Sequence, residues 1–272
     1  PCDYDEINAL VVKHKSTFKA NSKNQELLGR IMVLSDSAHS FGADYKGKKC
    51  GSLADVSVFS FHAVKNLTTA EGGAVALNFP APFDNTELYN YLCMYTLHGQ
   101  NKDALAKTQK GNWKYDIVEA GYKCNMTDMS AAIGLVELER YDNDTQLKRK
   151  HIFDAYQAAF INDNRFQVPV YHTDSKTGCY HLYPLRIKGI TEQQRDAIMK
   201  EIFDCDVSVN VHFIPVPAMT FYKNLGYDLK NYPVTYDNFS REISLPVFYN
   251  LTDEQTQTVI NAVINSVNKI LC

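Results

Sequence analysis

An acid, a hydroxyl group and an amine stand where two apolar segments of the chain end. Asp36 follows the first segment, and Ser60 and then Lys65 follow the second. In open α/β sheets, ligands bind beyond the carboxyl ends of the strands. A lysine amine becomes a nucleophile that can form an imine when burial and neighbouring charge keep it neutral. The pattern therefore predicts a cofactor site with a covalent lysine.

The elements that must position these groups are typical of an α/β fold with a mostly parallel sheet. Apolar runs predict strands over 30–34, which we expect to be a buried parallel strand, and over 56–61 and 74–77. The polar stretch 99–120 is long for a loop, so we expect it to be mobile or to cover a site. A long helix is predicted over 127–156, beginning at Thr127. The remaining predicted elements are strands at 179–185 and 207–214 and helices at 5–15, 86–97, 191–203 and 252–270.

Length and composition narrow the class of protein. A chain of 272 residues can form one large or two modest domains, and we expect domains at 1–150 and 151–272. The net charge of −3 gives no indication of affinity for nucleic acid or membranes. Seven cysteines without paired spacing indicate reduced thiols in the cytoplasm, and they predict neither a disulfide framework nor a metal site.

The stretch from residue 33 to residue 73 resembles the DegT/DnrJ/EryC1/StrS family of sugar aminotransferases, which use pyridoxal 5′-phosphate (PLP). The matching motifs are Ser35-Asp36-Ser37-Ala38-His39, Phe59-Ser60-Phe61-His62-Ala63-Val64-Lys65, Glu71-Gly72-Gly73, Gly121-Tyr122-Lys123-Cys124-Asn125-Met126-Thr127-Asp128 and Val211-His212-Phe213-Ile214-Pro215. Two departures are Ser35, where the family has Glu, and Ala70, where Gly is common.

The resemblance implies the PLP-dependent transferase fold type I, with an incomplete large domain and a C-terminal α+β small domain. It also implies amino transfer from an amino acid, usually glutamate, to a nucleotide-linked keto sugar in lipopolysaccharide, O-antigen or capsule biosynthesis. Two alternatives stay open. The chain could be a non-catalytic remnant or binding module of the same fold, or a PLP enzyme that aminates a cyclitol or another non-sugar ketone.

The resemblance also assigns roles in cofactor binding. Lys65 would form the imine with PLP and then act as general acid and base, Asp36 would pair with the pyridinium nitrogen, and Ser60 would donate to the phosphate. His39 would lie near the ring. Without the motif, each has an ordinary alternative: a surface lysine, a turn or cap aspartate, a strand serine and a packed turn histidine.

Two further residues follow from the resemblance. Asn125 would reach the PLP phosphate of a neighbouring subunit, which implies a homodimer with shared active sites, or it could cap the following helix. His212 would lie near the substrate, or it could be a buried structural histidine. The chain begins at Pro1, and we expect the family's preceding segment, with a phosphate-binding turn and a ring-stacking aromatic residue, to be missing. We therefore expect this chain alone to bind PLP weakly or not at all.

Overall fold

The computed structural model describes residues 1–102, 110, 111 and 113–271. Within them the chain forms two compact units, of which the first comprises Pro1–Tyr141 and Asp174–Cys179. The second comprises Asp142–Thr173 and Tyr180–Cys272. The structure is α/β with mixed sheets, which confirms the predicted class. The domain division at residue 150 stays a prediction.

The first unit contains two small sheets and four of the described helices. Its helices are α1 (Tyr4–Lys13), α2 (Lys23–Leu28), α3 (Asn85–Tyr95) and α4 (Asp128–Arg140). Its strands are β1 (Leu34–Asp36), β2 (Asp44–Tyr45), β3 (Lys48–Lys49), β4 (Val56–Ser60), β5 (Gly73–Leu77) and β7 (Lys176–Thr177). Asp3 and Ser22 cap the first two helices with their side-chain oxygens, as expected for N-terminal Asp and Ser.

The sheet that carries the candidate site has the order β1-β4-β5. Strand β1 runs parallel to β4, whereas β5 pairs with β4 in the antiparallel direction. The expectation of a buried strand over 30–34 is wrong, because β1 begins only at Leu34, which is 54% exposed. The physical reason is that the Asp55 carboxylate accepts from the Arg30 guanidinium and from the Val33 N–H. Arg30 and Val33 therefore bind this side chain and do not form the start of the strand.

The other sheet of the first unit has the order β3-β2-β7 and covers a small core. Tyr45 in β2 and Tyr4 in α1 meet edge to face with ring centroids 5.9 Å apart. The Tyr45 hydroxyl donates to Asp3 at 2.8 Å. Buried around these rings are Ala43, Cys50, Ala54 and Cys179. The hydrogen bond from Tyr45 to Asp3, the capping residue of α1, therefore joins this core to the start of the helix.

The second unit has the larger core. Its helices are α5 (Gln146–Phe160), α6 (Glu192–Asp204), α7 (Thr220–Asn224), α8 (Pro233–Ser240) and α9 (Asp253–Leu271). Its strands are β6 (Phe166–Gln167), β8 (Tyr183–Ile187) and β9 (Glu242–Leu245), arranged as β6-β8-β9 with antiparallel pairing. The fully buried side chains that pack helices α5, α6 and α9 against this sheet include Phe153, Tyr156, Leu185, Ile198, Ile243 and Val263.

Two predicted elements of the C-terminal half differ from the structure. The predicted helix 127–156 begins at its expected cap, Thr127, but a π-helical segment, Tyr141–Thr145, separates α4 from α5. The predicted strand 207–214 is reduced to a single bridge between Asn210 and Ser244. Of the loop predicted at 99–120, residues 103–109 and 112 lie outside the described residues, and its described ends join at a bridge between Gln100 and Ile117. None of the described helices is long and apolar enough to span a bilayer.

Candidate cofactor site

The parallel pairing of β1 and β4 brings two of the predicted site residues to one end of the sheet. Asp36 is the last residue of β1 and lies opposite Val58. Ser60 is the last residue of β4, two positions beyond Val58, or roughly 7 Å along the strand. Because side chains alternate between faces, Asp36, Val58 and Ser60 share one face of the sheet. The exposed Asp36 carboxylate accepts from the Ala38 N–H at 3.1 Å.

The turn after Asp36 is fastened by the residue that follows it. Ser37 is fully buried, and its N–H donates to the Val58 carbonyl at 2.8 Å. The Ser37 and Ser35 hydroxyls lie 3.0 Å apart. His39, which we expected near a cofactor ring, is exposed in this turn, and its carbonyl accepts from the Cys179 thiol at 2.9 Å. That His39 contacts the cofactor ring stays a prediction.

Lys65 lies in the loop that joins β4 to β5, and backbone hydrogen bonds close this loop at its base. The Phe61 N–H donates to the Gly72 carbonyl at 2.8 Å, and the Phe61 carbonyl accepts from the Thr69 N–H at 2.9 Å. The half-buried Lys65 side chain makes no hydrogen bond or ion pair with any of the described residues. The loop thus presents an amine that the surrounding protein leaves available for chemistry.

The glycine pair at the end of this loop has no room for side chains. A Cβ on Gly73 would lie 2.6 Å from the Phe59 carbonyl oxygen, and one on Gly72 would lie 2.3 Å from the Thr69 hydroxyl oxygen. The Gly-Gly pair therefore permits a close backbone approach that a larger residue at either position would block. Ala70 has a φ of +65°, in the left-handed region that favours glycine. That conformation explains why a glycine would suit position 70.

The loop that carries Lys65 is also held by buried residues that the sequence analysis did not single out. The buried Asn66 amide donates to the Cys179 carbonyl at 2.6 Å and to the Tyr141 hydroxyl at 3.4 Å. The Tyr141 hydroxyl in turn donates to the Phe41 carbonyl at 2.6 Å. The Phe41 ring meets those of Tyr141 and Phe61 edge to face at 5.0 and 5.6 Å. Only the position of Asn66 directly after the lysine could have drawn attention to these residues.

Asn125 and His212 have different surroundings. The exposed Asn125 accepts from the Lys123 ammonium and donates to the Met126 carbonyl at 3.3 Å. The cap of α4 is Thr127, whose hydroxyl oxygen accepts from the Ser130 N–H, so Asn125 is not the capping residue. His212 belongs to the second unit, where its ring contacts Ser244. The cofactor role of Asn125 and the substrate role of His212 stay predictions.

Comparison with known proteins decides the family. The sequence model described as the DegT/DnrJ/EryC1/StrS aminotransferase family matches residues 28–264. The chain belongs to this family. The resemblance seen in the motifs is thereby confirmed, and it extends through both units.

Individual members of the family show the extent of the likeness. The chain is 33% identical over 268 residues to the Bacillus subtilis spore coat polysaccharide biosynthesis protein SpsC, covering 96% of this chain and 62% of that protein. It is 31% identical over 241 residues to a Campylobacter jejuni UDP-4-amino-4,6-dideoxy-N-acetyl-beta-L-altrosamine transaminase, covering 88% of this chain and 60% of that one. The chain thus spans about three-fifths of the length of these curated relatives.

A solved structure confirms the fold. The putative sugar aminotransferase Spr1654 from Streptococcus pneumoniae, in its PMP form, matches with a TM-score of 0.92 and 43% identity, over 99% of this chain and 67% of that one. The same protein matches in its apo and PLP forms. The family therefore places this chain in the PLP-dependent transferase fold type I, and it implies pyridoxal phosphate as the cofactor.

The residues in the first unit fit this cofactor chemically. Asp36 offers a carboxylate for a protonated ring nitrogen, Ser60 a hydroxyl group for a phosphate, and Lys65 an amine for an aldehyde. The first two groups share one face and one end of the sheet. The amine has no competing partner among the described residues.

Proposed function

We propose that the protein is a PLP-dependent aminotransferase that moves an amino group from an amino acid, glutamate, to a nucleotide-linked keto sugar. The observation that carries the proposal is the Lys65 amine, which pairs with none of the described residues and lies in a closed loop beside the sheet end that holds Asp36 and Ser60. The relatives support the class of substrate, because one is named as a UDP-sugar transaminase and another as a polysaccharide biosynthesis protein. The product would be an amino sugar for lipopolysaccharide, O-antigen or capsule.

Each residue has a defined task in this reaction. PLP, when bound, supplies an electron sink for the carbanion formed at the substrate carbon. Asp36 keeps the ring nitrogen protonated, and Ser60 donates to the phosphate. Lys65 takes the proton from Cα of the amino donor and later returns a proton to the sugar carbon that receives the amine.

The proposal extends to assembly and location. Asn125 is exposed, so it is accessible to the phosphate site of a second copy, and we infer a homodimer with shared active sites. His212 would contact the sugar substrate. None of the six described cysteines forms a disulfide, which supports the inferred cytoplasmic location.

Borohydride reduction of the complete gene product with PLP, followed by peptide mass mapping, tests the proposal. The expected result is a phosphopyridoxyl group on Lys65 and a visible absorbance band that glutamate bleaches. Lys65→Ala should lose both the band and transamination, whereas Lys13→Ala, a change at an exposed lysine on α1, should keep them. A Lys65→Ala protein that still transaminates, or a wild-type protein without the band, would overturn it.

A further inference from the structure

The segment that joins α1 to α2 carries a concentration of positive charge. Four lysines and a histidine stand within residues 13–23, and residues 7–25 contain no Asp or Glu. The five residues are Lys13, His14, Lys15, Lys19 and Lys23. Four lysines against the single Glu26 give residues 7–28 a charge of +3 when His14 is neutral, whereas the whole chain has a net charge of −3. The positive charge is therefore a local feature that the net charge conceals.

These five side chains have no task within the described part of the fold. All five residues are exposed, and none of the five side chains forms a hydrogen bond or an ion pair with a described residue. By contrast, Lys46 pairs with Asp5 at 2.6 Å, and Lys269 pairs with Glu201 at 2.5 Å. The charged groups of residues 13–23 are consequently available to a partner outside the chain.

Exposed leucines accompany the lysines on both helices. Leu10 is 57% exposed and lies three residues before Lys13, where α1 ends. Leu27 is 55% exposed and lies four residues after Lys23, where α2 begins. Residues three or four apart are neighbours on the surface of a helix, so each leucine lies beside a lysine.

The ends of the two helices lie close together. Lys15 follows α1, and Gly29 is the residue at which α2 ends. A Cβ on Gly29 would lie 3.6 Å from Lys15 Cε. Residues 10–27 therefore form one region of the surface, which we call the basic patch.

The combination of lysines and exposed leucines indicates the kind of partner that fits the basic patch. Lysine ammonium groups are attracted to the anionic headgroups of a bilayer, and exposed apolar side chains enter the boundary between headgroups and acyl chains. Proteins that bind single-stranded nucleic acid instead stack bases on aromatic and arginine side chains. Residues 10–27 contain no arginine, and their only Phe, Tyr or Trp is the half-buried Phe18. The composition of the basic patch thus favours an anionic lipid surface.

We propose that the basic patch docks the protein on the surface of an anionic phospholipid bilayer. The lysines bind the headgroup phosphates, and Leu10 and Leu27 enter the interface. This is peripheral binding, and it needs no helix that spans the bilayer. The proposal is independent of the proposed aminotransferase reaction, because no residue of the basic patch belongs to the candidate cofactor site.

Sedimentation of the complete gene product with vesicles tests the proposal. Vesicles that contain phosphatidylglycerol supply the anionic surface, and vesicles of phosphatidylcholine alone supply the neutral one. We expect binding to the anionic vesicles only, and weaker binding as sodium chloride is raised. Each lysine near an anionic surface contributes roughly a fivefold gain in affinity, so replacement of all four lysines by glutamine should weaken binding on the order of a hundredfold.

A matched control separates the basic patch from the total charge of the protein. Four exposed lysines of the second unit are replaced by glutamine in the control, which gives the same net charge: Lys188, Lys200, Lys223 and Lys230. This control should bind the anionic vesicles like the wild type. Equal losses in the two variants, equal binding to both kinds of vesicle, or no binding to either would overturn the proposal.

A second variant keeps the charge of the basic patch and removes its apolar side chains. Leu10→Ser combined with Leu27→Ser should weaken binding to the anionic vesicles by about tenfold or more, since burial of each leucine contributes to the affinity. A double variant that binds like the wild type would overturn the role of the leucines. Binding to a single-stranded RNA without binding to the vesicles would overturn the proposal in favour of a nucleic acid.

Discussion

Replacement of Asp55 by asparagine tests how strongly the start of β1 is held in place. The Asp55 carboxylate is 6% exposed and accepts three hydrogen bonds, from two Arg30 nitrogens at 2.7 Å each and from the Val33 N–H at 2.8 Å. Removing one partner of a buried ion pair costs about 3–5 kcal/mol. Because Arg30 is 21% exposed, and because asparagine can still accept one bond, we expect a smaller loss of about 2–3 kcal/mol.

The pH dependence of this loss has a defined sign. Burial raises the pKa of Asp55, but the Arg30 guanidinium and the Val33 N–H outweigh burial and hold that pKa below its usual range. A carboxyl with a lowered pKa contributes stability above its unfolded pKa, and this stability disappears as the pH falls through its folded pKa. The difference in unfolding free energy between wild type and Asp55→Asn should therefore be complete at neutral pH and shrink in acid.

Urea titrations followed by circular dichroism at a series of pH values measure this difference. The matched control is Asp5→Asn, because Asp5 forms an exposed ion pair with Lys46 and its loss should leave the urea midpoint unchanged. A difference for Asp55→Asn that is the same in acid as at neutral pH would show that the carboxylate charge contributes nothing. An Asp55→Asn urea midpoint equal to that of the wild type would refute the claim that Asp55 holds the start of β1 in place.

Two further substitutions test the loop that carries Lys65. Ala70→Gly should raise the unfolding free energy by about 1 kcal/mol, because relief of the left-handed backbone at φ +65° outweighs the added freedom of the unfolded chain. Ala74→Gly, in strand β5, should instead lower it, and equal effects at both positions in urea titration would contradict this account. Tyr141→Phe removes the hydroxyl that joins the Phe41 carbonyl to the Asn66 amide, and it should cost about 1–2 kcal/mol in the same assay. A Tyr141→Phe midpoint equal to that of the wild type would show that this hydroxyl is dispensable.

The parts of the structure that local signals determine could be predicted from the sequence. The apolar run that stops beside Asp36 predicts the strand end there, and the helix pattern that follows Thr127 predicts its role as a cap. Each of these inferences needs only neighbours along the chain.

The contacts that could not be predicted join residues distant in sequence. The ion pair that replaces the expected strand at 30–33 joins Arg30 to Asp55, 25 residues later. The contact between His212 and Ser244 spans 32 residues, and it coincides with the loss of the strand predicted at 207–214. Apolar periodicity does not contain this information, because a polar side chain can form its bonds with whatever the fold brings close.

The candidate cofactor site shows how such distant contacts can place a reactive group without restraining it. Asp36 and Lys65 make few contacts of their own, but the residue that follows each one is buried and hydrogen-bonded. Ser37 binds the neighbouring strand, and Asn66 binds the Cys179 carbonyl and Tyr141. Because the backbone is fixed at the next residue, the Asp36 and Lys65 side chains can move only by changing rotamer. The carboxylate and the amine therefore stay available to a ligand, while their Cα atoms are held in place. Loss of the Ser37 or Asn66 side chain should therefore displace the Asp36 carboxylate or the Lys65 amine, while the type of reaction these groups support stays the same.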